Sequence, residues 1–202
     1  DTNDIIEAAS SKWNFIKMKP GLVGGHCISV DPYYLIQKAQ VYGVLPRIMF
    51  AARRLNDGMG AYVANQTIKC MNKKGVIVKD SKILILGITF KENCPDTRNS
   101  KVVDIINRLK EFEIEPIVTD SWADAAVAKK EYGVELVPFT KIPKADCVIV
   151  AVGHTEFRSM SMMQIKELFK DELTDEEKVL IDVKSLYRRD ELDASGMRYW
   201  RL

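Results

Sequence analysis

Lys82-Ile83-Leu84-Ile85-Leu86-Gly87 sets four apolar residues in a row between a lysine and a glycine. A run of that length without polar alternation is expected of a strand buried on both faces, as in a parallel sheet covered by helices. Downstream the same grammar repeats. A helix is expected from about Ser100 to Phe112, with Val102, Val103, Ile105, Ile106 and Leu109 apolar. Pro116 to Thr119 reads as a second strand, and Ala123 to Tyr132 as a helix ended by Gly133. Val134 to Val137 suggests a short strand and Cys147 to Val152 a clear one; Met163 to Phe169 reads as helical, and Val179 to Asp182 as the last central strand. Repeated β-α-β units of this size predict an α/β fold, a doubly wound parallel sheet with right-handed crossovers.

Upstream, residues 1–74 have a different character and form the first of two expected domains, 75–202 being the second. Ile5, Ile6, Ala8 and Ala9 suit a short helix, Trp13 to Met18 an irregular stretch, and Pro20-Gly21-Leu22-Val23-Gly24-Gly25 breaks regular structure. Asp31-Pro32 suits a helix start, with Asp31 as N-cap and Pro32 in the first turn, and Gly43 a helix end. A longer helix follows Pro46 to about Asn72 with Gly58 and Gly60 inside it. Each glycine costs about 1 kcal/mol relative to alanine, so packing must hold this helix. It is either a dimer spine or a core helix of a larger domain.

The chain has 202 residues, 47% hydrophobic, with formal net charge +2 and no basic stripe, so nucleic acid is not an expected partner. No apolar run approaches the roughly 20 residues of a membrane-spanning helix, and the N-terminus lacks signal-peptide character. Four scattered cysteines and two histidines argue against a metal site or a disulfide scaffold and for a reducing cytoplasm. The chain opens without Met inside a helix already under way, which suggests a fragment.

Two segments could carry chemistry. The connection from Gly87 to Ser100 is long for a βα loop and holds Lys91 and Arg98 ahead of a helix N-terminus. That setting suits phosphate, although neither GxGxxG nor a P-loop is present; the alternative is a solvated loop whose charges pair with Glu92 and Asp96. The second segment is Gly21-Leu22-Val23-Gly24-Gly25-His26-Cys27-Ile28-Ser29-Val30-Asp31-Pro32. Its glycines allow close approach of a ligand, and a cysteine ahead of a helix start gains thiolate character. Cys27 is therefore a candidate nucleophile with Asp31 as acid-base neighbour, or else a small buried hydrophobe. His26, adjacent in sequence, reads as structural or as a pocket wall. His154 lies at a strand's carboxyl end, either lining a cleft or satisfied within a loop. Lys184 could face the cleft of Lys91. Cys70, Cys94 and Cys147 read as packing residues, Met160, Met162 and Met163 as core filler, and Arg188 to Glu191 as a solvated, self-paired stretch.

Three ordered motifs resemble the nucleotide-sugar 6-dehydrogenases, the UDP-glucose/GDP-mannose dehydrogenase family, and within it the bacterial UDP-N-acetylhexosamine dehydrogenases. Lys19 to Leu35 is similar to that subgroup's active-cysteine motif, Leu55-Asn56-Asp57-Gly58-Met59 to a motif of the central helix, and Gly87 to Ser100 to the signature of the UDP-binding domain. The resemblance covers essentially the whole chain. It implies a helical central-domain remnant with a long dimerisation helix, followed by a Rossmann-like UDP-binding domain. It also implies oxidation of a sugar's C6 alcohol to a carboxylate with NAD, through a cysteine thiohemiacetal and thioester.

On the same resemblance Cys27 is the nucleophile and Asp31 its acid-base or water-orienting neighbour. Met18, Lys19, Pro20, Gly21, Leu22, Val23 and Gly24 line the nucleotide-sugar site. Phe90 and Lys91 hold its base-and-phosphate end, with Lys184 a further candidate, and Arg98 and Cys27 contact NAD. The implied partners are a UDP-N-acetylhexosamine and a second copy of the chain, in surface-polysaccharide precursor synthesis. Val30 departs from the lysine that the UDP-glucose branch carries before the aspartate. The family's NAD-binding domain, and the lysine and asparagine used beside the cysteine, have no counterpart here, so this polypeptide alone is expected to be inactive. A non-catalytic nucleotide-sugar-binding or dimerisation module and a UDP-glucose enzyme are the alternative readings.

Overall fold

In the computed structural model, which describes residues 1–73, 75 and 78–202, the elements follow the expected alternation. Three helices come first: α1 (Thr2–Ala9), α2 (Asp31–Val41) and α3 (Arg47–Lys73). Then come β1 (Ile83–Leu86), α4 (Val102–Lys110), β2 (Ile117–Thr119), α5 (Ala125–Tyr132), β3 (Cys147–Val150), α6 (Thr155–Arg158), α7 (Met162–Lys166), β4 (Val179–Asp182), α8 (Arg189–Ala194) and β5 (Arg198–Arg201). The expected domain boundary at 74/75 falls beside Lys74, which lies outside the described residues, as do Val76 and Ile77.

All five strands are parallel, in the order β2-β1-β3-β4-β5. β1, β3 and β4 are buried at every position, which is why their sequences run apolar without alternation up to Asp182 at the end of β4. One face packs Ile83, Ile85, Cys147, Ile149, Val179 and Ile181 against α4 and the C-terminal half of α3. The other packs Leu84, Leu86, Val148, Val150 and Leu180 with Phe157, Ile165 and Leu192 of the shorter helices.

The two halves of the long helix differ, the C-terminal half meeting the core-helix expectation. Val63, Ala64, Ile68, Cys70 and Met71 are core, whereas Ile48, Phe50 and Leu55 are exposed, as are Tyr34, Leu35 and Tyr42 of and after α2. Gly60 lies tightly against α4: a Cβ there would overlap that of Asp104 and sit 3.1 Å from the Lys101 carbonyl oxygen.

Several sequence expectations need correction. Val179–Asp182 is not the last strand; Arg198–Arg201 adds a half-buried edge strand beside it. Residues 134–137 form only an isolated bridge, Val118 to Leu136, because exposed Glu135 pairs with Lys129 and Pro138 ends the pairing. Asp31 is the first residue of α2 and Val30 its N-cap, since the Asp31 N–H already closes a helical turn onto the Cys27 carbonyl at 2.8 Å. Met163 is exposed rather than core, while Met160 and Met162 pack partly against the second face. Arg188 is indeed self-paired with Asp190, at the start of α8.

Candidate functional site

The loop after β1 is shaped by one buried carboxylate. Asp120, just past β2, accepts the backbone N–H of Ile88 (2.7 Å) and Thr89 (3.2 Å) through one oxygen, and those of Trp122 and Ala123 through the other. Its first oxygen also meets His154 Nε2 at 3.1 Å. The Asn93 N–H donates to His154 Nδ1 at 2.9 Å, so Nε2 carries the proton and points it at Asp120. Burial alone would lift the Asp120 carboxyl, but the His154 hydrogen bond and the Ile88 and Ala123 N–H donors outweigh it and hold it below the ordinary carboxylate range. His154 is thus satisfied within a loop, fully buried, and it anchors the 88–93 segment rather than lining a cleft.

Against this loop lies the glycine-rich segment before α2. A Cβ on Gly25, whose φ is +112°, would touch the Phe90 ring at 3.0 Å, and one on Gly24 would overlap the Asn99 carbonyl oxygen. Only glycine permits that approach at both positions. Gly21 faces Lys184, the ammonium lying 3.7 Å from where its Cβ would be. Leu22, Phe90 and Lys184 line one small cleft together with Thr89 and Lys101. The structure therefore brings together Gly21, Leu22, Gly24, Phe90 and Lys184. Met18, Lys19, Val23 and Lys91 are exposed, and Lys91 is not among the residues lining that cleft.

Cys27 is exposed, not the buried hydrophobe of the alternative reading, and its sulfur lies 3.6 Å from His26 Nδ1. His26, expected as structural or as a pocket wall, thus stands beside the thiol. Asp31 is exposed in the first turn of α2. Arg98 is held by Asp96, with Nε 3.0 Å from both carboxylate oxygens and Nη2 2.6 Å from one. This pair holds Asp96 below its ordinary range and Arg98 above its own, with His26 and Cys27 respectively as smaller contributors. The four residues thus share one electrostatic neighbourhood. Of the other cysteines, Cys70 and Cys147 are buried, burial pushing both thiols up, while Cys94 is only half-buried.

Three side chains that sequence reading did not single out individually hold the glycine loop. Asn56 Nδ2 donates to the Val23 carbonyl at 2.9 Å, Asn99 Nδ2 to that of Gly25 at 3.2 Å, and Arg53 Nη1 to that of Ile28 at 3.1 Å. The signal for Asn56 was its place in the central-helix motif. For Asn99, at φ +52°, it was the tolerance of asparagine for the left-handed region. A wide cleft lies elsewhere, beyond β2 among Thr119, Phe139, Ile142, Phe157 and Met160, and contains none of the expected site residues. Among the described residues no three metal-ligating side chains cluster, and no helix is long and apolar enough to cross a membrane.

A parallel α/β sheet whose first strand-helix connection receives a cysteine-bearing glycine loop defines a doubly wound protein with its candidate site at the strands' carboxyl ends. The chain belongs to the UDP-glucose/GDP-mannose dehydrogenase family: residues 84–189 match the family's UDP binding domain and residues 1–58 its central domain. It is 49% identical over 193 residues to a UDP-N-acetyl-D-glucosamine 6-dehydrogenase of Pseudomonas aeruginosa, covering 96% of this chain and 44% of that protein. It is 44% identical over 202 residues to Protein CapL of Staphylococcus aureus, covering all of this chain and 46% of that protein. The chain therefore spans less than half the length of these relatives. In fold it is similar to an NDP-N-acetyl-D-galactosaminuronic acid dehydrogenase from Methanosarcina mazei Go1, with TM-score 0.84 at 23% identity, over 98% of this chain and 43% of that one.

Proposed function

We propose that this chain is part of an NAD-dependent 6-dehydrogenase that oxidises the C6 alcohol of a UDP-N-acetylhexosamine to the uronic acid, with Cys27 as covalent nucleophile. The observation that carries this reading is the docking of the Cys27 loop, through Gly24 and Gly25, on Phe90 and Asn99 of the UDP-binding domain. Sugar and nucleotide ends of one substrate would then meet at that joint. Gly21, Leu22, Phe90 and Lys184 hold it, with Met18, Lys19, Pro20, Val23 and Gly24 along the sugar side and Lys91 reaching for phosphate. For NAD the chain offers Arg98, an exposed guanidinium now paired with Asp96, which would exchange that carboxylate for an anionic cofactor. When bound, NAD supplies the hydride acceptor for both oxidations.

The remaining chemistry falls to the chain's own groups. Once the alcohol is an aldehyde, the Cys27 thiolate adds to its carbonyl carbon, forming a C–S bond and a thiohemiacetal whose oxygen takes a proton. Loss of that proton and of the hydrogen on carbon, as hydride, leaves a thioester. Water then attacks the acyl carbon, the C–S bond breaks, and the carboxylate departs from a regenerated thiolate. Asp31 serves as the acid-base or water-orienting neighbour, and His26, 3.6 Å from the sulfur, walls that side of the thiol. Alcohol plus one water gives carboxylate, with four electrons leaving as two hydrides and three protons released to solvent.

Because more than half of the relatives' length has no counterpart here, the 202-residue chain by itself turns over no substrate. The exposed apolar surface of α2 and the first half of α3 makes a homodimer. The reading places the protein in a reducing cytoplasm, where Cys27 stays a free thiol, supplying a uronic acid for surface polysaccharide. The test is Cys27→Ser in the full-length protein, assayed with a panel of UDP-N-acetylhexosamines. Acid formation disappears while UDP-sugar binding persists; acid formation at the parent rate would refute the nucleophile.

A further inference from the structure

We propose that Arg53, Asn56 and Asn99 are positioning residues that set the Cys27 thiol by clamping backbone carbonyls on both sides of it; the idea rests on the reading of Cys27 as nucleophile. A thiol can be located by burial, by side-chain partners or by its backbone. Burial does not locate this one, since Cys27 is exposed, and His26 at 3.6 Å belongs to the same loop and moves with it. What remains is the backbone of a segment containing Pro20 and three glycines, which has a wide conformational range of its own. That range is closed at four carbonyls: Val23 by Asn56, Gly25 by Asn99, Ile28 by Arg53, and Cys27 itself by the N–H groups of Val30 and Asp31 opening α2.

Two of the three donors, Arg53 and Asn99, have further contacts of their own. Arg53 and Asn56 stand three residues apart, on one face of α3. Arg53 lies over the Tyr33 ring, 5.6 Å from its centroid, and 3.7 Å from Asp57, which also takes the Tyr33 hydroxyl and the Lys101 ammonium at 3.0 Å. The donors therefore tie α2, α3 and the start of α4 into one network. Asn99 comes from the other side of the joint, its N–H donating to the Tyr132 hydroxyl at 3.2 Å. Within the Leu55-Asn56-Asp57 motif, Asn56 thus holds the loop and Asp57 braces the arginine beside it.

The informative variants are Asn56→Ala, tolerated in a helix, and Asn99→Asp, which keeps the left-handed backbone and the side-chain shape while removing the donor. In the 202-residue chain, amide hydrogen exchange at residues 21–30 rises about tenfold in each variant, with β1, β3 and β4 unchanged. In the full-length protein kcat falls about tenfold while KM for the nucleotide sugar stays within about twofold, and the pH profile keeps its shape. Unchanged exchange at residues 21–30, or raised exchange with undiminished kcat, overturns the proposal. A full-length parent without dehydrogenase activity would instead sink the functional reading, and the exchange experiment alone then decides whether the clamp exists.

Discussion

Replacing Gly58 and Gly60 of α3 by alanine, one at a time, separates helix propensity from interhelical packing within a single turn. Both are helical, so each alanine gains up to about 1 kcal/mol of backbone stability. At Gly58 nothing lies within 4 Å of the new methyl group, and the gain stands. At Gly60 the methyl group overlaps the Asp104 Cβ and crowds Lys101 O at 3.1 Å and the Asp104 carbonyl carbon at 3.2 Å. Those atoms belong to the α4 end rather than to a flexible side-chain tip, so the two helices must separate. Overpacking of this kind costs about 1–3 kcal/mol, and the backbone character of the contact puts it near about 3. The net is a loss of about 2 kcal/mol at Gly60 against a gain of about 1 at Gly58. For a chain of this size that means a Tm about 4–8 °C lower for Gly60→Ala and about 2–4 °C higher for Gly58→Ala. Thermal unfolding followed by circular dichroism reads both. Shifts of the same sign would refute the assignment of Gly60 as the point of contact.

Asp120→Asn destabilises the chain by about 2–4 kcal/mol at neutral pH, because a buried carboxylate serving His154 and four N–H groups loses its charge. Its carboxyl is held low in the folded state, so the stability it contributes is complete above the ordinary aspartate range and is lost as pH falls through the folded value. The gap between parent and variant, measured by urea unfolding, should close below about pH 4; a gap independent of pH would contradict this. Leu55→Glu, on the exposed half of α3, shifts the full-length protein toward monomer in sedimentation velocity, and an unchanged sedimentation coefficient counts against that face as the dimer contact.

The central sheet was legible because β1 and β3 are written as unbroken apolar runs, and β4 as one up to its terminal Asp182, a pattern with few other uses in a chain of this composition. The edge was not. Arg198-Tyr199-Trp200-Arg201 pairs on β4 with two arginines in it, half-buried, and carries no periodic signal of its own. Residues 134–137 err the other way, apolar enough for a strand yet bridged only at Leu136. At the site, glycine and proline punctuation marked both loops, and their motifs tied them to one family. The contacts that join the loops were invisible, since Asn99 and Gly25 are 74 positions apart and His154 and Asp120 are 34. No local pattern encodes which distant donor will meet a given carbonyl.

The carboxylate behind β1 also decides where a nucleotide cannot go. In an open α/β sheet the first strand-helix turn is the customary phosphate socket, its backbone N–H groups turned toward the incoming anion. Here those of Ile88 and Thr89 are already engaged by Asp120. A diphosphate arriving there would meet a resident negative charge that will not take up a proton until well into acid. The turn is thus occupied from within by the chain's own carboxylate. What stays open is the outer rim of the loop, at the seam it shares with the glycine-rich segment and Lys184.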